Sequence, residues 1–385
     1  MRTTLLIISA IAVLQWGCER EKTITGATAS SQIVSFPDTA MENAVRAALH
    51  EPTEPITVGD LEGMSRFEAA EWGIRDLTGI ENMRSLSYLD LRSNAIDSIP
   101  QISALPSLDT LYLDFNNVQD ISPLAELLGL RALSIAGNGA SDLSAIANSQ
   151  FLQYLNVRNN GVESTEAIRT CPQLKSLFID GNPIADLAFV TDLHLLESFE
   201  FSGCPVTDIT PLTGIPSLKQ LIMEDTGVED FSPLSNLRFL ELLVISQSSL
   251  SSLEPIRNLT ALQALYLNDN QISSVEPLRN LAQLRSLWLS DNSISDITYL
   301  ANLDAVRSLD LSNNQITSVD VLEDAGGLEY LNLSNNQVSR VQALDENVGL
   351  SEFDFVYLYN NPLSDSSRFF WIPRMQDRGV LVYYQ

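Results

Sequence analysis

The clearest pattern in the chain is a spacing of apolar residues that recurs every 22 positions from Leu86 onward. The unit reads L-x-x-L-x-L-x-x-N-x-I-x-x-I-x-x-L-x-x-L-x-x, and residues 262–278 follow it closely. A thirteenth unit, starting at Phe353, follows a three-residue insertion. The leading residues of the other units are Leu86, Leu108, Leu130, Leu152, Leu174, Leu196, Leu218, Leu240, Leu262, Leu284, Val306 and Leu328.

Each half of the unit predicts its own local structure. The L-x-L step alternates as a strand does, so both leucines lie on one face, and stacked units would bury them in a parallel sheet. The other half often reads Asp-x-Ser/Thr-Pro-Leu, as at residues 120–124 and 208–212, which predicts short 3₁₀ turns. This is the leucine-rich-repeat signature. The predicted fold is an α/β leucine-rich-repeat solenoid, a right-handed curved array of about 13 units with a concave parallel sheet and convex 3₁₀ turns.

The ninth place of the unit is predicted to hold a structural asparagine. A buried Asn needs hydrogen-bond partners, and the backbone of neighbouring turns can supply them. Cys204, Thr226 and Ser248 interrupt the series, and Cys204 is interpreted as a substitute for Asn, whereas Cys171 falls on an apolar core position. The asparagines are Asn116, Asn138, Asn160, Asn182, Asn270, Asn292, Asn314 and Asn336.

The repeats divide the chain into predicted segments. Residues 36–85 would form an N-terminal helical cap with a degenerate first repeat, in which Asp38 caps the first helix and residues 57–60 form a capping box. Residues 379–384 suggest a closing strand. The segments are 1–18, a signal peptide; 19–35, a flexible tether; 36–85, the N-terminal cap; 86–363, the repeats; and 364–385, the C-terminal cap.

The N-terminal segment predicts export. Residues 5–14 are an apolar run, interrupted only by Ser9, that is too short to span a bilayer and has the length of a signal-peptide core. Gly17-Cys18 follows it and resembles the lipobox of bacterial lipoproteins, which implies lipidation at Cys18 and an envelope location at the outer membrane or cell surface. The alternative is an unmodified Cys18 thiol within a signal peptide cleaved further on.

The repeat, the helical start, residues 74–80 and the tail from Asn361 together resemble bacterial internalin-like leucine-rich-repeat proteins. The resemblance covers about residues 36–385. It implies a binding surface on the concave sheet, where internalins of pathogens bind host receptors. No immunoglobulin-like domain or cell-wall sorting motif is apparent after the repeats, so we expect anchoring by lipid instead.

Aromatic residues at the third and fifth places of the units predict where a ligand binds. Exposed Tyr and Trp are favoured at interfaces, although β-propensity alone also selects aromatics on strands. The stretch from Ile222 to Trp288 is the favoured site, and the later aromatics, Tyr330, Phe355 and Tyr357, could instead pack on the C-terminal cap. The candidate ligand-binding residues are Tyr88, Tyr112, Tyr154, Phe178, Ile222, Val244, Tyr266 and Trp288.

Composition narrows the class of partner. A formal net charge of −27 and a pI of about 4.2 disfavour nucleic acid and anionic lipid, and are consistent with solubility, a salty habitat or a cationic partner. The acids beside the aromatics hold no calcium-loop pattern, so no metal is expected. They are Asp90, Asp114, Asp180, Glu200, Glu224, Asp225, Asp269, Asp291 and Asp310.

Catalysis is not expected. The two histidines, His50 and His194, are far apart in repeat register, and neither a phosphate-binding loop nor a cofactor motif is present. The sequence therefore predicts a monomeric protein-interaction module without a cofactor. Polysaccharide binding and a self-associating envelope scaffold are the alternatives.

Overall fold

A computed structural model describes residues 31–50, 53–302 and 304–385. In this part of the chain fifteen short strands form one parallel sheet in strict chain order, and adjacent strands pair one repeat apart, as Tyr88 pairs with Thr110. The strands β1–β15 are Arg66–Glu68, Tyr88–Asp90, Thr110–Tyr112, Ala132–Ser134, Tyr154–Asn156, Ser176–Phe178, Ser198–Glu200, Gln220–Ile222, Leu242–Val244, Ala264–Tyr266, Ser286–Trp288, Ser308–Asp310, Tyr330–Asn332, Phe355–Tyr357 and Leu381–Tyr383.

The strands are short because the repeat gives each of them one buried apolar centre. The middle residue, as in Leu265 and Leu287, is fully buried, and the residues on either side face the concave surface. The apolar side chains form one continuous core from Phe36 to Val382, and each buried Leu or Ile contributes about 1.5–3 kcal/mol. No unit can bury its leucines alone, so the array is stable as a whole. The predicted leucine-rich-repeat solenoid is confirmed.

The chain turns sharply at the eighth place of nearly every coil. This residue has positive φ, which L-residues with large side chains rarely adopt, so Asn, Asp and Gly predominate there. Phe115, with φ 56°, is the exception in size. The residues are Glu71, Ser93, Phe115, Gly137, Asn159, Gly181, Gly203, Asp225, Gln247, Asp269, Asp291, Asn313, Asn335 and Asn360.

The opposite side of the coils consists mainly of the expected 3₁₀ turns. Exposed aspartates start several of them, since Asp120 accepts a hydrogen bond from the Ser122 N–H at 2.8 Å and Asp208 accepts one from Thr210 at 2.8 Å. Two coils contain short α-helices instead, α3 (Glu166–Arg169) and α4 (Gln342–Glu346). The 3₁₀ turns are Ile80–Asn82, Pro100–Ala104, Ser122–Glu126, Ser144–Ile146, Ala188–Asp192, Thr210–Gly214, Ser232–Asn236, Glu254–Ile256, Glu276–Asn280, Thr298–Leu300 and Asp320–Asp324.

The asparagine ladder is present as predicted. Asn182 donates to the carbonyls of Val157 and Ile179 at 2.9 and 2.7 Å and accepts from the Val162 N–H at 2.9 Å. Cys204 occupies the equivalent place, and its Sγ lies 3.4 Å from the Ile179 carbonyl, which confirms the substitution. Thr226 is a gap in the ladder, because its buried Oγ1 has no hydrogen-bond partner.

The N-terminal end of the core is covered by two helices, α1 (Thr39–Leu49) and α2 (Val58–Glu62). Asp38 is the N-cap of α1, and its second carboxylate oxygen accepts from the Arg75 and Asp76 N–H groups at 2.6 and 3.0 Å. The capping box between Thr57 and Asp60 is also present. Asp38 thus joins the cap to the first coil of the array.

The C-terminal end is closed by a π-helical turn (Ser367–Trp371), helix α5 (Ile372–Asp377) and strand β15. The predicted closing strand is confirmed, and it pairs in parallel with β14. The carboxylate of Asp345 in α4 is almost fully buried and lies 3.3 Å from Arg374 Nη2 and 4.0 Å from Arg378 Nη1. These ion pairs join the last repeat to the cap.

Two predictions concern the N-terminal segment, residues 1–18. The predicted signal peptide and the predicted lipidation at Cys18 lie outside the described residues. Among the described helices none is long and apolar enough to cross a membrane.

Cys171 and Cys204 are both buried free thiols, and burial raises their pKa values to about 12 and about 11, so they stay protonated and unreactive.

Candidate binding surface

The concave face is formed by the third, fifth, seventh and eighth places of the units. Most of the predicted ligand-binding residues are partly accessible there: Tyr88, Tyr112, Tyr154, Ile222, Tyr266 and Trp288. Phe178 is only 8% exposed, so little of its ring is available to a ligand. Val244 has no accessible surface, so its assignment as a ligand contact is wrong: neighbouring side chains on the sheet cover this small β-branched residue.

In the N-terminal half of the concave face, arginines of the protein itself cover the aromatic rings. The Arg66 guanidinium lies 3.5 Å from the ring centroid of Tyr88. Arg92 lies 5.4 Å from Tyr112, and Arg158 lies 4.5 Å from Phe178. Such cation–π contacts contribute about 0.5–2 kcal/mol each.

Carboxylates hold these arginines in place. Asp90 pairs with Arg92 at 2.6 Å, and Asp180 pairs with Arg158 at 2.5 Å. Arg158 also pairs with Glu200. The arginines that cover the N-terminal rings are therefore held by ion pairs within the protein, and their guanidinium groups already occupy part of the ring faces.

Several of the acids proposed as surface charges are in fact buried. Asp90, Asp114, Glu200 and Asp310 are each at most 8% exposed. Burial raises the pKa of Asp114 above the usual range for Asp, although hydrogen bonds from Ser134 and the Ala136 N–H oppose this shift. Burial raises the pKa of Glu200 as well, against the attraction of Arg158. These four carboxylates serve internal hydrogen bonds and ion pairs, whereas Asp225, Asp269 and Asp291 are exposed at the eighth-place turns.

The C-terminal half carries a continuous run of rings that we call the C-terminal ladder: Tyr266, Trp288, Tyr330, Tyr357 and Tyr383. Ring centroids of successive members lie 5.6, 6.4, 5.6 and 5.0 Å apart. Phe355 and Tyr359 flank Tyr357 at 6.4 Å each. The ladder spans six strands, from β10 to β15, and ends on the cap, so the expectation that the last aromatics pack there holds for the Tyr357–Tyr383 stack.

Besides the arginines that cover Tyr112 and Phe178, sequence reasoning missed two further features of this surface. The first is the link across β12, where no ring is present: the Trp288 indole donates from Nε1 to Ser308 Oγ at 3.1 Å and thereby reaches Tyr330. The second is Phe115, which is 63% exposed at an eighth-place turn. Its size among Asn, Asp and Gly residues was the available signal.

The side chains of the concave face differ from those of a metal site. No group of three or more His, Cys, Asp and Glu side chains among the described residues is arranged to hold a metal ion. The arrangement instead provides stacking faces, ring edges and a rim of exposed carboxylates, which suit recognition of another molecule.

Comparison with known proteins agrees with this geometry. The family model for leucine-rich repeats (two copies) matches residues 84–126 and 282–324. Internalin H of Listeria monocytogenes is 32% identical over 99 residues, which are 25% of this chain and 18% of Internalin H. The chain thus matches well under two thirds of that relative's length.

Solved structures cover most of the chain. An internalin (inlF) from Listeria monocytogenes has 26% identity and a TM-score of 0.70, with 90% of this chain and 95% of that chain covered. A leucine-rich-repeat protein of Leptospira interrogans has 20% identity and a TM-score of 0.76, with 86% and 92% covered, and shows the fold alone.

These findings define the class: the chain is a leucine-rich-repeat protein, and such proteins are protein-interaction modules. Within that class the capped array of 22-residue units is similar to the internalins of Listeria monocytogenes.

Proposed function

We propose that this chain is an exported, lipid-anchored interaction protein of the cell envelope, and that it binds a protein partner on its concave sheet. The observation that carries the binding proposal is the C-terminal ladder. Tyr266, Trp288 and Tyr330 are partly accessible rings in the C-terminal half of the concave face, and Trp288 contacts both of the others. Contiguous aromatic surface of this kind is typical of binding sites.

The export proposal rests on the sequence of residues 1–18 and on the similarity to internalins. Lipidation at Cys18 would leave the residues before Gln32 as a tether between membrane and array. The predicted tether, residues 19–35, is too long at its C-terminal end, because Gln32 and Val34 already form backbone hydrogen bonds with Val58 and Ile56 of the N-terminal cap. A plant peptide hormone receptor with this fold, 19% identical, is solved in complex with RGF2, so the fold accommodates a peptide ligand.

The test is a pull-down from envelope and conditioned-medium extracts with the full chain and a double variant, Tyr266→Glu with Trp288→Glu. The matched control is Phe151→Glu with Phe239→Glu, which adds the same charge at exposed aromatics away from the strands. All three proteins are first shown to be folded by circular dichroism.

A partner retained by the wild type and the control but lost by the ladder variant would support the proposal. A partner retained equally by all three would contradict a concave site. Capture on a glycan array that depends on Tyr266 and Trp288 would favour polysaccharide binding, since aromatic rings also stack on sugars. Concentration-dependent association by sedimentation, with no captured partner, would favour the self-associating scaffold.

A further inference from the structure

The N-terminal half of the concave face shows how this fold places a cation on a ring. Arg92 and Arg158 stand at the seventh place of their units, and each covers a ring twenty positions later, at the fifth place of the next unit: Tyr112 and Phe178. Repeat geometry therefore sets a seventh-place guanidinium beside a fifth-place ring.

The C-terminal half has the rings without the cations. From residue 264 onward the third, fifth, seventh and eighth places contain no Lys or Arg. The residues that stand where Arg92 and Arg158 stand are short, as Ser246 precedes Tyr266 and Asn268 precedes Trp288 by twenty positions. The accessible faces of the ladder are therefore open to cations from outside.

Charge also favours an external cation. Asp269 and Asp291 are exposed at the turns beside Tyr266 and Trp288, and Asp225 lies two units earlier along the same edge. On a chain of net charge −27 these carboxylates would attract a cationic segment and orient it toward the rings.

We propose that the C-terminal ladder binds a basic, extended polypeptide segment, whose arginine side chains take the positions on Trp288 and its neighbours that Arg92 and Arg158 occupy on Tyr112 and Phe178. This inference rests on the proposed function and specifies its partner. Alternate residues of an extended chain are about 6.7 Å apart, close to the 5.0–6.4 Å between ladder rings. The segment crosses the strands and presents every second side chain to the ladder.

The first experiment measures binding of short synthetic peptides to the full chain by fluorescence anisotropy. One peptide alternates serine and arginine, and its partner peptide carries citrulline, a neutral isostere, in place of arginine. We expect the arginine peptide to bind at least about tenfold more tightly than the citrulline peptide. Trp288→Leu should remove most of that difference, whereas Tyr112→Leu, at the same place in a unit whose ring Arg92 covers, should preserve it.

The second experiment blocks the proposed arginine-binding position on Trp288 with an arginine of the protein itself. Asn268→Arg would place an intramolecular guanidinium over Trp288 and leave every ring intact. Its matched control is Asn268→Met, which loses the same hydrogen bonds from Ser290 to Asn268 Oδ1 but carries no charge. We expect the arginine variant to weaken peptide binding about tenfold and the methionine variant to weaken it much less.

Three outcomes would overturn the inference. Equal binding of both peptides would show that cations are not recognised. Equal binding of the arginine peptide to wild type and Trp288→Leu would show attraction by net charge alone. A captured partner that depends on Tyr266 and Trp288 but is not displaced by the arginine peptide would uphold the proposed function while rejecting this account of its ligand.

Discussion

The indole of Trp288 stacks on the ring of Tyr330, with centroids 6.4 Å apart and planes 15° from parallel, although a strand without an aromatic residue lies between them. The hydrogen bond from the indole N–H to Ser308 Oγ fixes this reach across β12. The C-terminal ladder is continuous only because of this contact.

Ser308→Ala should therefore disturb the ladder more than the fold. The indole N–H can bond to water, so we expect the free energy of unfolding to fall by less than about 1 kcal/mol. The near-ultraviolet circular dichroism of Trp288 should change clearly. Ser176→Ala, at the same place in an N-terminal unit, is the control, and equal spectral changes in both variants would count against the bridging role of Ser308.

The asparagine ladder predicts a loss at one position and a gain at another. Asn182→Ala would leave buried backbone groups of Val157, Ile179 and Val162 without hydrogen-bond partners. We expect the free energy of unfolding to fall by about 1–3 kcal/mol. Thr226→Asn should add about 0.5–1.5 kcal/mol, because the present Oγ1 has no partner. Urea denaturation of both variants checks the pair, and a destabilising Thr226→Asn would show that the central coils have adapted to the gap.

The sequence predicted the parts of the fold and of the concave surface that depend on local, repeated spacing, and it did not predict contacts between side chains of neighbouring coils. The 22-residue period predicted the strands, the Asn ladder and the substitution at Cys204, because each is repeated and local. Burial on the concave face was harder to predict, since Val244 and Asp114 occupy the fifth and seventh places of their units, where other units have accessible residues. The arginines over Tyr112 and Phe178 were missed because they come from the preceding coil, at a place that was considered only as ligand-facing.

Asp114 predicts a pH dependence of stability. Burial raises its folded pKa above the unfolded value near 3.8, so its contribution to stability is greatest below that value and falls as pH rises through the folded pKa. Asp114→Asn should therefore stabilise the protein relative to wild type at neutral pH, and the advantage should shrink as pH falls through the folded pKa and be absent below the unfolded value of 3.8.

An aspartate with the opposite shift provides the control for Asp114. The Ser122 backbone N–H lowers the pKa of Asp120, so its contribution is present above the unfolded pKa and is lost as pH falls. Asp120→Asn should destabilise at neutral pH and have no effect in acid. Urea denaturation across the pH range measures both, and parallel curves for the two variants would reject the assignment.

Removing the cations of the C-terminal cap should uncouple it from the last repeat. The double variant Arg374→Met with Arg378→Met leaves the buried Asp345 carboxylate without its ion pairs. We expect a loss of about 1–3 kcal/mol, less than for fully buried pairs because both arginines are partly exposed. Arg340→Met is the control, and hydrogen exchange should show the loss of protection confined to β14, β15 and α5; uniform loss would contradict a local coupling.

Phe115 and Asn159 permit a reciprocal exchange at equivalent left-handed turns. Phe115 has φ 56° and lies over Gly137, where an added Cβ would come within 2.7 Å of its ring. Asn159 has φ 53° and faces Gly181 in the same way, with its Oδ1 2.1 Å from the position of an added Cβ. Bulky residues are disfavoured in this conformation, whereas Asn tolerates it.

Phe115→Asn should therefore raise the free energy of unfolding by about 0.5–1 kcal/mol, net of the lost ring contact, and Asn159→Phe should lower it. Chemical denaturation of the two variants and of the double exchange gives the measurement. If Phe115→Asn destabilised the protein, packing of the ring on Gly137 would outweigh the backbone strain, and Phe115 would be a structural residue. If it stabilised the protein, Phe115 is retained at a cost in folding, which would direct a search for ligand contacts to this exposed ring at the edge of the concave face.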